Sequence, residues 1–132
     1  MINVTAAIIE RDGKIFLARR SSNGSQPDKW EFPGGKIEIG ETPEKCLERE
    51  LWEEFEINAD VRGFFAESVY HYARKSVCLI AFHVDFDDEI TIMNAHKEIQ
   101  WVPVDRLLEY DLAPADVPIA RQLLSAKKDS QW

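Results

Sequence analysis

Residues 35–57, GKIEIGETPEKCLERELWEEFEI, decide how the rest of the chain is read. They carry Glu38, Glu41, Glu44, Glu48, Glu50, Glu53, Glu54 and Glu56 against only Lys36, Lys45 and Arg49. Most of the stretch has the marks of a helix. Thr42 offers an N-cap acceptor, Pro43 suits the first helical position, and Glu44 favours the positive end of the helix dipole. Leu47, Leu51 and Phe55 recur at helical spacing and predict the buried stripe. At about 100° per residue, Glu50 and Glu54 border that stripe and Glu53 lies further round. The carboxylates of Glu50, Glu53 and Glu54 are therefore expected to converge on one side, where like charges repel. A hard divalent cation such as Mg²⁺ takes carboxylate oxygens together with waters and phosphates, and would remove the repulsion. The alternative is a plain solvated acidic helix.

The flanking sequence predicts a sheet around this helix. Residues 2–9 (INVTAAII) read as a buried strand, Asp12-Gly13 as a hairpin turn, and residues 14–18 (KIFLA) as the returning strand. Residues 21–28 are a loop by composition, and Trp30 to Phe32 form a short strand stopped by Pro33-Gly34-Gly35. Further strands are expected near 62–72, 76–86 and 98–104, the second apolar enough to be central. A helical turn at 105–109 and a closing helix at 118–126 complete the order. This alternation implies an α/β fold, a mixed sheet with helices on its faces, in one domain over 1–132.

Composition narrows the function. A net charge of −8 disfavours a nucleic-acid polymer as partner, which would need a basic surface. It leaves room for a single nucleotide held through a metal ion. The N-terminus has neither a basic leader region nor a run long enough to span a membrane, so no membrane partner and a cytoplasmic location are expected. Cys46 and Cys78 have no metal-ligand spacing and read as buried free thiols, as suits a reducing compartment. His71, His83 and His96 show no zinc spacing, and His83 reads as a structural histidine within a strand. Gly34-Gly35-Lys36 lacks the spacing of a P-loop and reads as a tight turn with close backbone approach.

Gly35, then Glu41 after five residues, then Arg49-Glu50-Leu51-Trp52-Glu53-Glu54 after seven more, resemble the signature box G-x5-E-x7-R-E-U-x-E-E-x-G-U of the Nudix hydrolases, where U is a bulky aliphatic residue. Ile57 also matches, and Glu56 departs by standing where the family has Gly. The resemblance implies the Nudix fold, an α/β/α sandwich with the signature helix beside the sheet. It also implies metal-dependent hydrolysis of a phosphoanhydride. By resemblance, Glu50, Glu53 and Glu54 are ligands of Mg²⁺ or Mn²⁺, joined by the main-chain carbonyl of Gly35. Arg49 is either an orienting residue for a glutamate or a surface ion pair, and Glu41 is an outer structural residue.

Residues 29–38, KWEFPGGKIE, resemble the MutT-like branch, whose members hydrolyse nucleoside triphosphates. Residues 112–119, LAPADVPI, resemble a segment of bacterial CTP pyrophosphohydrolases within it. That likeness implies a nucleoside triphosphate substrate cleaved to monophosphate and pyrophosphate, with cytidine or modified deoxynucleotides preferred. An 8-oxo-dGTP diphosphatase is one alternative, and a catalytically silent nucleotide-binding module is another. Asp116 is then either a base-facing acceptor or a turn residue before Pro118. Arg20 is a nucleotide contact or part of a solvated basic pair with Arg19. Tyr70 and Tyr72 offer a stacking face, with Tyr72 the candidate in the site. Monomer and homodimer remain equally open.

MutT-like relatives often carry an acid just before the His of E-H-x4-W, whereas residues 95–101 here are AHKEIQW. The candidates for the general base are therefore Glu53, Glu98 and His96, with Glu53 preferred and Glu50 and Arg49 beside it in the catalytic set. Strand alternation from His96 puts His96, Glu98 and Gln100 on one face.

Overall fold

The structure, a computed structural model, describes residues 1–129. Its strands are β1 (Ile2–Ile8), β2 (Glu10–Arg11), β3 (Lys14–Arg20), β4 (Trp30–Glu31), β5 (Asp60–His71), β6 (Ser76–Asp85) and β7 (His96–Pro103), and its α-helices are α1 (Pro43–Phe55) and α2 (Val117–Asp129). Short 3-10 helices occupy Val104–Glu109 and Pro114–Asp116. The strands divide into two sheets. In one, β6 is central, parallel to β1 and antiparallel to β5. In the other, β3 pairs antiparallel with β2, β4 and β7. The Asp12-Gly13 hairpin turn forms as its sequence dictates, with positive φ at both residues.

Each face of the sheets carries a helix. Leu47, Leu51 and Phe55 of α1 pack with Ala7, Ile9, Phe16 and Phe82. Ile119, Ala120 and Leu123 of α2 pack with Ala6, Ile8, Leu17 and Leu79 on the opposite face. Burying each such aliphatic or aromatic side chain contributes about 1.5–3 kcal/mol, so these stripes fix the helices firmly. Helix α1 starts where the sequence predicts, with the Thr42 hydroxyl accepting the Lys45 N–H at 3.2 Å. It ends at Glu56, whose backbone is left-handed (φ 53°, ψ 41°) and whose N–H donates to the Trp52 carbonyl at 2.8 Å. Asn58 therefore does not provide the cap, and the position where the signature has Gly carries backbone strain.

One expectation is corrected here. His83 lies within β6 as expected, exposed, with its ring set edge-on to Phe65 at 5.1 Å. Cys46 is buried, but Cys78 is only partly covered. Among the described residues no helix is long and apolar enough to cross a membrane.

Candidate active site

A cleft of about 380 Å³ opens where β1, the β4–α1 connection, α1 and the 114–116 turn meet. Glu50 and Glu54 stand on one wall, and Tyr72, Ala115 and Asp116 on another. The Gly34-Gly35 strap forms its floor and tolerates no side chains. A Cβ on Gly34 would lie 2.0 Å from the Thr5 carbonyl oxygen, and one on Gly35 would lie 2.2 Å from the Glu50 carboxyl carbon. The Gly35 carbonyl accepts the Thr5 N–H at 2.8 Å and the Thr5 hydroxyl at 3.2 Å. That engagement ties the strap to β1. What Gly35 supplies here is the missing side chain beside Glu50.

Arg49 organises the acids. Its Nε and Nη2 donate to the two oxygens of Glu41 (2.7 and 3.0 Å), and its Nη1 donates to Glu50 (2.9 Å) and Glu53 (3.2 Å). This bidentate pair holds the Glu41 carboxyl down to about 2, helped by the Glu38 N–H. The orienting reading of Arg49 and the outer position of Glu41 are the ones this geometry supports. Arg49 draws Glu50 and Glu53 to itself while Glu54 turns inward beside the Glu50 carboxyl, so Glu50 neighbours both other acids. Glu54 is 8% exposed, and its Oε2 has no hydrogen-bond partner among the described residues. Burial, then the charges of Glu31 and Glu50, push its carboxyl up to about 9. Burial also raises Glu50, against the pull of Arg49. An orphaned buried carboxylate oxygen beside further acids is an all-oxygen donor set, and it fits a hard divalent cation.

At the other end of the cleft, Asp116 is buried and its Oδ2 accepts the Phe32 N–H at 2.9 Å. Burial and the Glu31 charge raise its carboxyl well above the usual range, with the Phe32 N–H and Arg20 opposing. Asp116 is thus no N-cap of α2; its side chain reaches across to β4. Tyr72 lines the same cavity and meets Tyr70 edge to face at 4.6 Å. Arg20 is partly exposed but held in place. Its guanidinium bonds Glu31 at 2.8 Å and the Ser25 carbonyl at 2.8 Å. Arg19 points elsewhere, to Glu98 at 3.3 Å.

That pairing turns Glu98 towards Arg19, and neither Glu98 nor Glu53 lines the cleft wall itself. The strand alternation fails for a definite reason. A bulge pairs Arg19 with Glu98 but Arg20 with His96, leaving Lys97 over. His96 consequently stacks on Phe55 (5.4 Å, 5°), on the α1 face. Two residues of the site escaped the sequence reading. Glu31 contacts both Arg20 and His96; the only signal was an acid between two aromatic residues at a strand end. Thr5 ties β1 to Gly35; its signal was one hydroxyl within an apolar run.

The sequence profile of the NUDIX domain matches residues 1–123. The chain is 40% identical over 128 residues to a CTP pyrophosphohydrolase of Escherichia coli (strain K12), covering 96% of this chain and 94% of that protein. It is 30% identical over 123 residues to an 8-oxo-dGTP diphosphatase of the same organism, covering 92% and 95%. The solution structure of the E. coli ORF135 protein superposes with a TM-score of 0.82 at 40% identity, covering 96% of this chain and 91% of that one. The crystal structure of a MutT protein from Methanosarcina mazei Go1 does so with a TM-score of 0.85 at 25% identity, covering 99% and 96%. With its acid-bearing helix, its glycine strap and a profile match over most of its length, the chain belongs to the Nudix family.

Proposed function

We propose that this Nudix-type pyrophosphohydrolase cleaves a nucleoside triphosphate to the monophosphate and pyrophosphate with Mg²⁺ or Mn²⁺ bound, and that it prefers cytidine or modified deoxynucleotides. The observation that carries this reading is a single cleft with acids from α1 on one wall and a buried carboxyl and a tyrosine on another. Glu50, Glu53 and Glu54 would hold the metal, which supplies neutralisation of phosphate charge and an activated water when bound. Arg49 positions Glu50 and Glu53. Glu53 is exposed at the helix rim and takes the proton of the attacking water. Arg20 faces the phosphates or sugar from the cleft wall, and Tyr72 offers its ring to the base.

Asp116 reads the base. One of its oxygens is held by the Phe32 N–H, and the carboxyl accepts hydrogen bonds. That suits the exocyclic amine of cytosine. It also suits an oxidised purine, and the likeness to an 8-oxo-dGTP diphosphatase favours this as the second reading. The test is a panel of nucleoside triphosphates at equal concentration, assayed for pyrophosphate release with Mg²⁺ and with chelator. The expected result is metal-dependent release led by CTP, dCTP or a modified deoxynucleotide. No release from any nucleotide would indicate a silent binding module.

A further inference from the structure

Beside the main cleft lies a second cavity of about 190 Å³, lined by Arg20, Glu31, Gly34, Glu54, Ala95 and His96 among others. It is large enough for several ordered waters, and its wall is polar. Three features of the chain converge on it. Asn94 fastens the segment before β7 to the end of α1, its N–H donating to the Glu54 carbonyl at 2.8 Å and its side-chain amide to the Glu53 carbonyl at 2.9 Å. The bulge at Lys97 then turns the His96 ring onto Phe55. From there His96 Nε2 meets Glu31 Oε2 at 2.8 Å, while Arg20 holds the other oxygen of Glu31 at 2.8 Å. Each oxygen of Glu31 thus has its own fixed donor, and the carboxylate cannot swing. A carboxylate only accepts, so the ring carries a proton on Nε2. The His96 Nδ1 has no hydrogen-bond partner among the described residues. A histidine kept in an aromatic cluster with one nitrogen orphaned costs stability, and the Glu31 contact is the one polar bond it makes there.

We propose that His96 is a positioning residue for hydrolysis, acting through Glu31: it locks the Glu31 carboxylate beside Glu54 at the boundary of the two cavities, so that water there meets a fixed acceptor. This rests on the hydrolase reading above. Nothing in the ring need touch substrate. Its effect belongs to geometry, and loss of such an outer partner typically lowers activity about 10–100-fold.

The test is a double-mutant cycle of His96→Phe and Glu31→Gln, assayed on the best nucleotide of the panel with saturating Mg²⁺. Phe keeps the stack on Phe55 and deletes the orphaned nitrogen, so thermal stability is expected to be unchanged or raised. Turnover is expected to fall about ten-fold or more with KM nearly constant. The double variant should be no slower than Glu31→Gln alone, and His96→Gln, which keeps a donor, should recover part of the loss. Additive losses, or a His96→Phe enzyme with wild-type turnover, would overturn the proposal while leaving the hydrolase reading intact. A wild-type protein silent on every nucleotide would overturn both.

Discussion

Glu54→Gln in the metal-free protein offers a stringent test of the site, because it separates the charge of the group from its shape. Glu54 is buried, one oxygen is unpartnered among the described residues, and burial, Glu31 and Glu50 push its carboxyl up to about 9, far above an ordinary glutamate. The folded state therefore holds a proton that the unfolded chain releases near its ordinary value. A raised folded pKa contributes stability that is complete below the unfolded value and lost as pH rises through the folded one. Between pH 6 and 8 one extra proton is bound in the folded state. The slope is then about 1.4 kcal/mol per pH unit, and this residue's contribution falls by ~2.5 kcal/mol across that window. Gln has the same shape and no charge, so the variant should lack that slope.

The assay is urea denaturation of both proteins in chelator at several pH values. Taking the difference between them cancels the other titrating groups. The two proteins should be nearly equal in acid, the variant should gain on the wild type by ~2.5 kcal/mol between pH 6 and 8, and it should be the more stable by about 4–5 kcal/mol at pH 8. Mg²⁺ should reverse the order at pH 8, because binding the ion replaces the proton and stabilises only the wild type by mass action. Parallel stability curves in chelator would refute the buried, protonated state of Glu54. Equal stabilisation of both proteins by Mg²⁺ would refute its part in holding the ion.

Further outcomes follow from the same geometry. Glu53→Gln should lower turnover at least ~100-fold while leaving the fold intact, since it removes a charge at the reacting end and relieves a repulsion; steady-state assays at saturating Mg²⁺ check it. Glu56→Gly should stabilise the protein by about 1 kcal/mol in chemical denaturation, the relief of a left-handed φ of 53° less the added freedom of glycine in the unfolded chain. Asp116→Asn should reorder cytidine against oxidised-guanine substrates and Asp116→Ala should flatten the ranking, measured as kcat/KM on each; an unchanged order in both would assign Asp116 to holding β4 alone.

The half of the site carried by α1 was legible in the sequence because its determinants are local. Cap, proline, apolar stripe and acids all lie within one stretch, and helical spacing fixes their directions. Even there, spacing gave the placement of the acids but not their partners. Arg49 could have faced solvent; only the fold brings Glu41 back from before the helix to take two of its nitrogens. The other half is non-local. Glu31 and His96 are separated by 65 positions and meet because β4 and β7 flank β3 on opposite sides. Alternation alone put His96 with Glu98, and one extra residue at Lys97 reverses that assignment. A bulge is decided by what the strand must satisfy in three dimensions, here the stack on Phe55 and the bond to Glu31. Asp116 is a similar case, since a turn proline beside it suggested a local role, while its oxygen serves the backbone of β4 across the cleft. The acids of the signature helix were found by pattern, whereas Glu31, which acts on Glu54 together with Glu54's own burial, owes its effect to a contact that no spacing encodes. The proton on Glu54 therefore depends in part on a residue barely visible in the sequence.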